Sequence, residues 1–420
     1  MFVLSLALAA LGPVCGSTPT SVQATSRPVP SVDHPPAAQV VVDSARHEIV
    51  VTMGPFRVPA MAAHDGGHGP MAMSEMSHAE HAMMMPGQSG NMNDHAAMSH
   101  GAMTRATGSG MASEHMNMPS TQIFCFPWPV EGWMRGFRIS VRDASGAQLP
   151  RTLLHHVIGV NFDRRQLLYP VAERLIGTGT ETPDIELPRS VAVPMTEGQE
   201  LGLYAMWHNE TGKDIDGAYI RVAILWMPQD AGHPPIPVLP LYADVNFHVA
   251  ATNAFDVPPG RSEHSFEFTL PVSGHLLAIS GHLHDYGTGV RLEDAETGKV
   301  IASVRSTLDA DGHIEGIEKK IFIVRGKKLE AHHRYRVVGE YVNPTDDTLR
   351  LSAMAHMVGL FAPDAMAQWP KLDRNAADYR MDVAALFDPS RMNGGMEGAD
   401  GDAEGPTVHQ HEDAGSGGAP

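Results

Sequence analysis

His155-His156 with His208, and His282-Leu283-His284 with Met354, are two groups of side chains that could each complete a three-ligand metal site. The first would be all imidazole. The second would be two imidazoles and a thioether, a soft ligand that selects copper, Cu(I) above all, over zinc, calcium or magnesium. Two copper sites of different character on one chain point to redox chemistry with dioxygen rather than to hydrolysis.

These residues must be positioned by strands. His282 and His284 lie two apart on a predicted strand, so both project from one face, while Leu277, Ile279 and Leu283 form the apolar face. The histidine face also carries Ser280 and reads as open to solvent. Taken alone, His-x-His is as often a surface coincidence as a ligand pair. Asp285 next door is either an acceptor that orients an imidazole or the start of the turn at Gly287. Alternation chooses between two thioethers: Met357 falls with Leu349, Leu351 and Phe361, the core face, whereas Met354 falls with Arg350, Ser352 and His356. Met354 is therefore the ligand candidate. His208 shares the less apolar face of its strand with Tyr204 and Met206. His155-His156 is harder, because adjacent strand residues point to opposite faces. Spacing alone favours one buried and one exposed imidazole, and both reach one ion only if the strand bulges there.

Composition narrows the setting. The chain has 420 residues, ordinary apolar content, few aromatics and abundant Gly and Pro, which suits strands and turns. A formal charge of −18 without a basic stripe argues against a nucleic-acid partner. Phe2 to Leu11 is an apolar run followed by small residues, so 1–16 reads as a signal peptide and the protein as periplasmic or secreted. Cys15 makes a lipid anchor a lesser alternative, since Gly12-Pro13-Val14 is a poor lipobox. No other segment is long and apolar enough to span a bilayer. If Cys15 leaves with the signal, Cys125 is expected to stand alone, without a disulfide.

Along the chain, Val40 to Met53 reads as a hairpin turning at Asp43 to Arg46. From Met61 to Met118 the sequence is low-complexity Ala/Gly/Ser with thirteen Met and seven His, and is expected to be disordered. Short strand-like runs with turn signals follow. The expected division is an N-terminal β-sandwich (37–60 and 120–228), the insertion (61–119), a Pro-rich linker (229–240), a C-terminal β-sandwich (241–364) and a largely disordered tail (365–420). The fold class is all-β, with antiparallel sheets.

The residues resemble a known family, the copper type II, ascorbate-dependent monooxygenases, which include peptidylglycine α-hydroxylating monooxygenase and dopamine β-monooxygenase. The resemblance rests on Thr152-Leu-Leu-His-His-Val-Ile-Gly, Tyr204-Ala-Met-Trp-His-Asn, Gly281-His-Leu-His-Asp-Tyr-Gly and Ser352-Ala-Met-Ala-His-Met, and covers roughly residues 120 to 364. It implies two tandem jelly-roll-like β-sandwich domains and two coppers per chain, facing each other across an open cleft. His155, His156 and His208 would hold an electron-transfer copper. His282, His284 and Met354 would hold the copper that binds dioxygen and hydroxylates a substrate, with ascorbate as reductant. The sequence also departs from the family. Where peptide-acting members carry an Arg that grips the substrate carboxylate, this chain has Ser280, and His356, Val358 and Met206 replace their Asn, Tyr and Gln. Peptide amidation is therefore not implied, and the substrate is read as small or apolar.

The Met/His clusters of the insertion resemble those of exported bacterial copper-handling proteins, and would hold copper ions loosely and exchangeably. They keep a second reading open: a non-catalytic copper-binding or copper-resistance protein that captures or stores Cu(I).

Overall fold

The computed structural model describes residues 37–61, 120–179, 184–230, 232–322 and 326–388. The expected signal peptide, the Met/His-rich insertion from residue 62 and the tail beyond residue 388 lie outside the described residues.

The chain folds as two β-sandwiches in tandem. In the first, one sheet runs Gln39–Asp43, Glu48–Val58, Ile215–Pro228, Gly132–Arg142, Val191–Met195, Ile236–Pro237. It faces a four-stranded sheet ordered Phe124–Pro127, Glu200–Trp207, Leu154–Arg165, Ala172–Gly179. In the second, a sheet built on Leu239–Asp244, Ala355–Pro363 and Gly274–Leu283 faces one ordered Gly260–Thr269, Arg334–Asn343, Gly287–Asp294, Val300–Leu308, Ile314–Ile317. Nearly all described pairings are antiparallel; Ile236–Pro237 beside Val191–Met195 is parallel.

Period-two alternation is what builds these layers. In Ile215–Pro228, Ala218, Ile220, Val222 and Ile224 are fully buried while Asp216, Tyr219, Arg221 and Ala223 face outward. Burying each Ile or Val side chain contributes about 1.5–3 kcal/mol. The first hairpin closes as the sequence implied, with Asp43 opposite Glu48.

The same loop device recurs in each half. Asn209 donates its side-chain amide to the carbonyls of Val58 and Lys213 and accepts from the N–H and hydroxyl of Thr211. Asn343 does the same with Val257, Asp347 and Thr345. Both asparagines are buried, and each satisfies loop carbonyls that would otherwise be stranded.

Two expectations need correction. The stretch 229–240 is not a free linker: Ile236–Pro237 joins the first sandwich and Leu239 already opens the second. Nor is the region after 365 without structure up to residue 388. Helix Ala377–Phe387 packs Tyr379 and Leu386 against Ile123, Val160, Phe162 and Tyr204 on the outer face of the four-stranded sheet. Asp382 clamps it there, pairing with Arg174 and accepting from the Ala172 N–H. Charged and polar residues in the tail hid this helix, because its apolar stripe is narrow. In the chain that retains its first residues Cys125 is disulfide-bonded, whereas the expectation of a lone Cys125 concerns a chain that has lost Cys15. The chain's other cysteine, Cys15, lies outside the described residues.

Candidate metal centre

Strand Leu154–Arg165 pairs with Glu200–Trp207 so that His156 lies opposite Met206 but Leu154 opposite Trp207. His155 is thus the extra residue of a β-bulge. The bulge swings two side chains that would ordinarily diverge to the same side, with ring centroids 4.0 Å apart. His208 follows the partner strand, tied by its N–H to the Leu153 carbonyl at 2.8 Å, and its ring lies 6.3 Å from that of His155.

Hydrogen bonding fixes the His208 tautomer. Nε2 is 2.8 Å from Glu210 Oε1, so the proton sits on Nε2 and the lone pair on Nδ1. That Nδ1 is buried and has no hydrogen-bond partner among the described residues. An unsatisfied buried polar atom costs about 1–3 kcal/mol, a cost that a bound cation would remove.

In the second sandwich, His282 lies directly opposite His356 in the register of Gly274–Leu283 with Ala355–Pro363. Their rings stack at 4.8 Å and 22°. The His284 ring is 5.2 Å from that of His282, and its Nδ1 is 2.9 Å from the Ser352 carbonyl oxygen. A carbonyl can only accept, so Nδ1 carries the hydrogen and Nε2 the lone pair, the usual arrangement behind a ligating imidazole. Met354 sits half-buried in the break between Leu349–Ala353 and Ala355–Pro363. One step beyond the Leu283–Ala355 pair, it falls across from His284.

Tyr341 ties these two positions together. Its hydroxyl accepts the His284 N–H at 3.2 Å and donates to the Met354 carbonyl at 2.5 Å. The hydroxyl reaches them because the sheets approach closely here: a Cβ added at Gly339 would lie 2.4 Å from that of Ala355. Burial raises the Tyr341 pKa well above its ordinary value, so the phenol remains a donor. Asp285 Oδ1 accepts the Ile314 N–H.

The two sets do not face each other across an open cleft, as the resemblance implied. The rings of His156 and His282 are 5.1 Å apart, so the first sandwich reaches the histidine face of the second at His282, while Val358 on that same face stays 41% exposed. The halves are pinned beside this contact by Tyr169. Its hydroxyl accepts the Asp244 N–H and donates to the Asp244 carbonyl, and its ring stacks on Phe247 at 3.6 Å. Two imidazoles on one ion, each bound at about 2.0–2.1 Å, hold their ring centroids roughly 4.5–5.2 Å apart in a cis arrangement. The spacings of His282 to His156, His284 and His356 all fall in that range.

The rings are adjacent rather than already converged. Among the described residues, Asp309, Asp311 and His313 are the set of His, Cys, Asp or Glu whose ligand atoms lie within 4.8 Å of one another. That set is an exposed turn in which Asp309 Oδ1 accepts the N–H groups of Asp311 and His313. Closing either histidine set on an ion requires rotation of its side chains. With that movement the donors fit copper: imidazole nitrogens, those of His208 and His284 held in one tautomer, and, at the second set, a thioether within the same stretch of strand.

His356 is the residue that sequence reasoning passed over. Alternation had placed it on the face of Met354, but only the register shows that it stacks on His282.

No protein-family model and no curated protein matches the chain. Among solved structures, the chain is similar to the major capsid protein P2 of bacteriophage PM2, at 10% identity over 60% of this chain and 95% of that one, with a TM-score of 0.33. It is also similar to a protein from the atomic structure of Sulfolobus turreted icosahedral virus, at 10% identity over 65% and 94%, TM-score 0.31. A third is PNGF-II, at 11% identity over 56% and 59%, TM-score 0.31. Scores this low carry no argument about relationship or activity.

Proposed function

We propose that the chain is an exported copper-dependent monooxygenase of the ascorbate-dependent type. It would hydroxylate a C–H bond of a small or apolar substrate with dioxygen and a two-electron reductant such as ascorbate. The observation that carries the reading is the meeting of two unlike donor sets, His155, His156 and His208 with His282, His284 and Met354, where the two sandwiches touch. When bound, copper supplies one-electron redox chemistry and a position for dioxygen. The protein's part is positional. Glu210 and the Ser352 carbonyl each hold one imidazole in a ligating tautomer. Tyr341 keeps His284 and Met354 in register, and Tyr169 keeps the two halves docked.

A second reading, copper capture without catalysis, is favoured by the 5.1 Å contact of His156 and His282, which leaves no gap for substrate between those rings. The test is ascorbate-driven oxygen uptake by copper-loaded full-length protein, compared with Met354→Ala, alongside copper content. Uptake coupled to a hydroxylated product and lost in Met354→Ala, with the first-set copper retained, supports the monooxygenase. Two tight coppers with no coupled uptake across a panel of apolar substrates would leave the capture protein.

A further inference from the structure

Behind His356 lies a polar cluster that the donor sets above do not use. The Asp244 carboxylate is fully buried, at the junction of the two sandwiches. Its Oδ2 accepts the Tyr242 hydroxyl at 2.7 Å and the Asn253 side-chain amide at 2.8 Å, and its Oδ1 accepts the Asn246 N–H at 2.9 Å. His356 Nδ1 is 3.3 Å from the Tyr242 oxygen and 3.6 Å from Asp244 Oδ2. Tyr242 has spent its single hydrogen on Asp244, so its oxygen accepts here and Nδ1 must carry a hydrogen. The His356 lone pair is therefore on Nε2. A carboxylate behind an imidazole, fixing its tautomer and raising its basicity, is the arrangement found behind metal-ligating histidines.

The ring is also a neighbour of the second set. His356 is stacked on His282, and its side chain is only 17% exposed. A buried anion that serves only packing is costly, whereas one that sustains a cationic centre through an imidazole offsets its own desolvation.

We propose that His356 is a further ligand of the second copper, joining His282 and His284 as a third imidazole, with Asp244 and Tyr242 as its positioning residues. This deepens the proposed function and rests on the second site existing. A third imidazole beside the Met354 thioether gives that site a nitrogen-rich set for Cu(II) and a softer one for Cu(I).

The test uses full-length protein loaded with Cu(II), so that any copper held by the insertion is common to all variants and cancels in the differences. Copper stoichiometry and affinity are read by competition with a chelator. Bound imidazoles are counted by pulsed electron paramagnetic resonance. The variants are His282→Ala, His356→Ala and His356→Gln, the last keeping an N–H donor for the Asp244–Tyr242 pair while removing the imidazole. The expected result is that His282→Ala loses one copper, and both His356 variants weaken that same copper by at least about 10-fold and lower the imidazole count by one. If His282→Ala loses a copper but His356→Gln leaves affinity and imidazole count unchanged, the ligand role of His356 is overturned while the two-site reading stands. If His282→Ala changes nothing, the second site itself fails, and this inference with it.

Discussion

Tyr341→Phe removes one oxygen from the interior and tests how the second site is held. The hydroxyl bridges the His284 N–H and the Met354 carbonyl, on a side chain that is 2% exposed. Phenylalanine fills the same space, so no cavity contributes. What remains is a buried donor and a buried acceptor stripped of their shared partner, which together cost about 2–4 kcal/mol. For a chain of this size that corresponds to a fall in melting temperature of roughly 4–10 °C. The two backbone groups also lose what keeps them in register, so copper affinity at the second site should fall by about 10–100-fold. Tyr335→Phe is the matched control. Its hydroxyl also accepts a backbone N–H, that of Glu330, on a buried side chain that lies against His333 and outside the two donor sets. Calorimetry and chelator competition on both variants decide the matter. Comparable destabilisation in both, with copper affinity lost only in Tyr341→Phe, is expected. Equal copper affinity in the two variants would refute the argument that Tyr341 sets the ligand geometry.

Other consequences follow from single contacts. Asp382→Asn should destabilise the protein by about 2–3 kcal/mol, less than for a fully buried ion pair because Arg174 remains 26% exposed. Limited proteolysis should then cut before helix Ala377–Phe387, and an unchanged cleavage pattern would mean the clamp is incidental. Glu210→Gln should lower first-site copper affinity by about 10-fold without changing the fold, since it removes tautomer control at His208. Titration of the variant against wild type checks this, and Glu210→Asp should recover part of the loss. Burial alone would raise the Asp244 carboxyl, but its contact with His356, the Tyr242 hydroxyl and the Asn246 N–H outweigh it and hold it below 3.8. A depressed carboxyl stabilises the fold above its unfolded value and loses that contribution as pH falls through its folded value. The urea midpoint of wild type relative to Asp244→Asn should therefore be highest above pH 3.8 and shrink in more acid solution. A pH-independent difference would show that the carboxylate's charge is not used.

How much of this was legible beforehand varies by element. Alternation in Ile215–Pro228 and the His-x-His spacing at His282 and His284 were readable because a strand projects every second residue to one face. The choice of Met354 over Met357 came from the same rule, and Met357 is indeed core, at 1% exposed. Helix Ala377–Phe387 was not readable, because its stability comes from the sheet it lies on and from Asp382 meeting Arg174, more than two hundred residues away in sequence. The Asn209 and Asn343 hubs escaped notice for a similar reason: each binds a carbonyl far away in the chain.

The sequence by itself determined the strands, the alternation that makes them two sandwiches, and the residue types able to hold a soft metal. Those properties are local, set by side-chain chemistry and a two-residue period. Only the tertiary structure decided which of them meet. A one-residue bulge brings His155 beside His156, strand register stacks His356 on His282, and domain docking sets His156 against His282. Register, bulge position and docking depend on the summed packing of distant elements, and the two donor sets become neighbours only where those choices coincide.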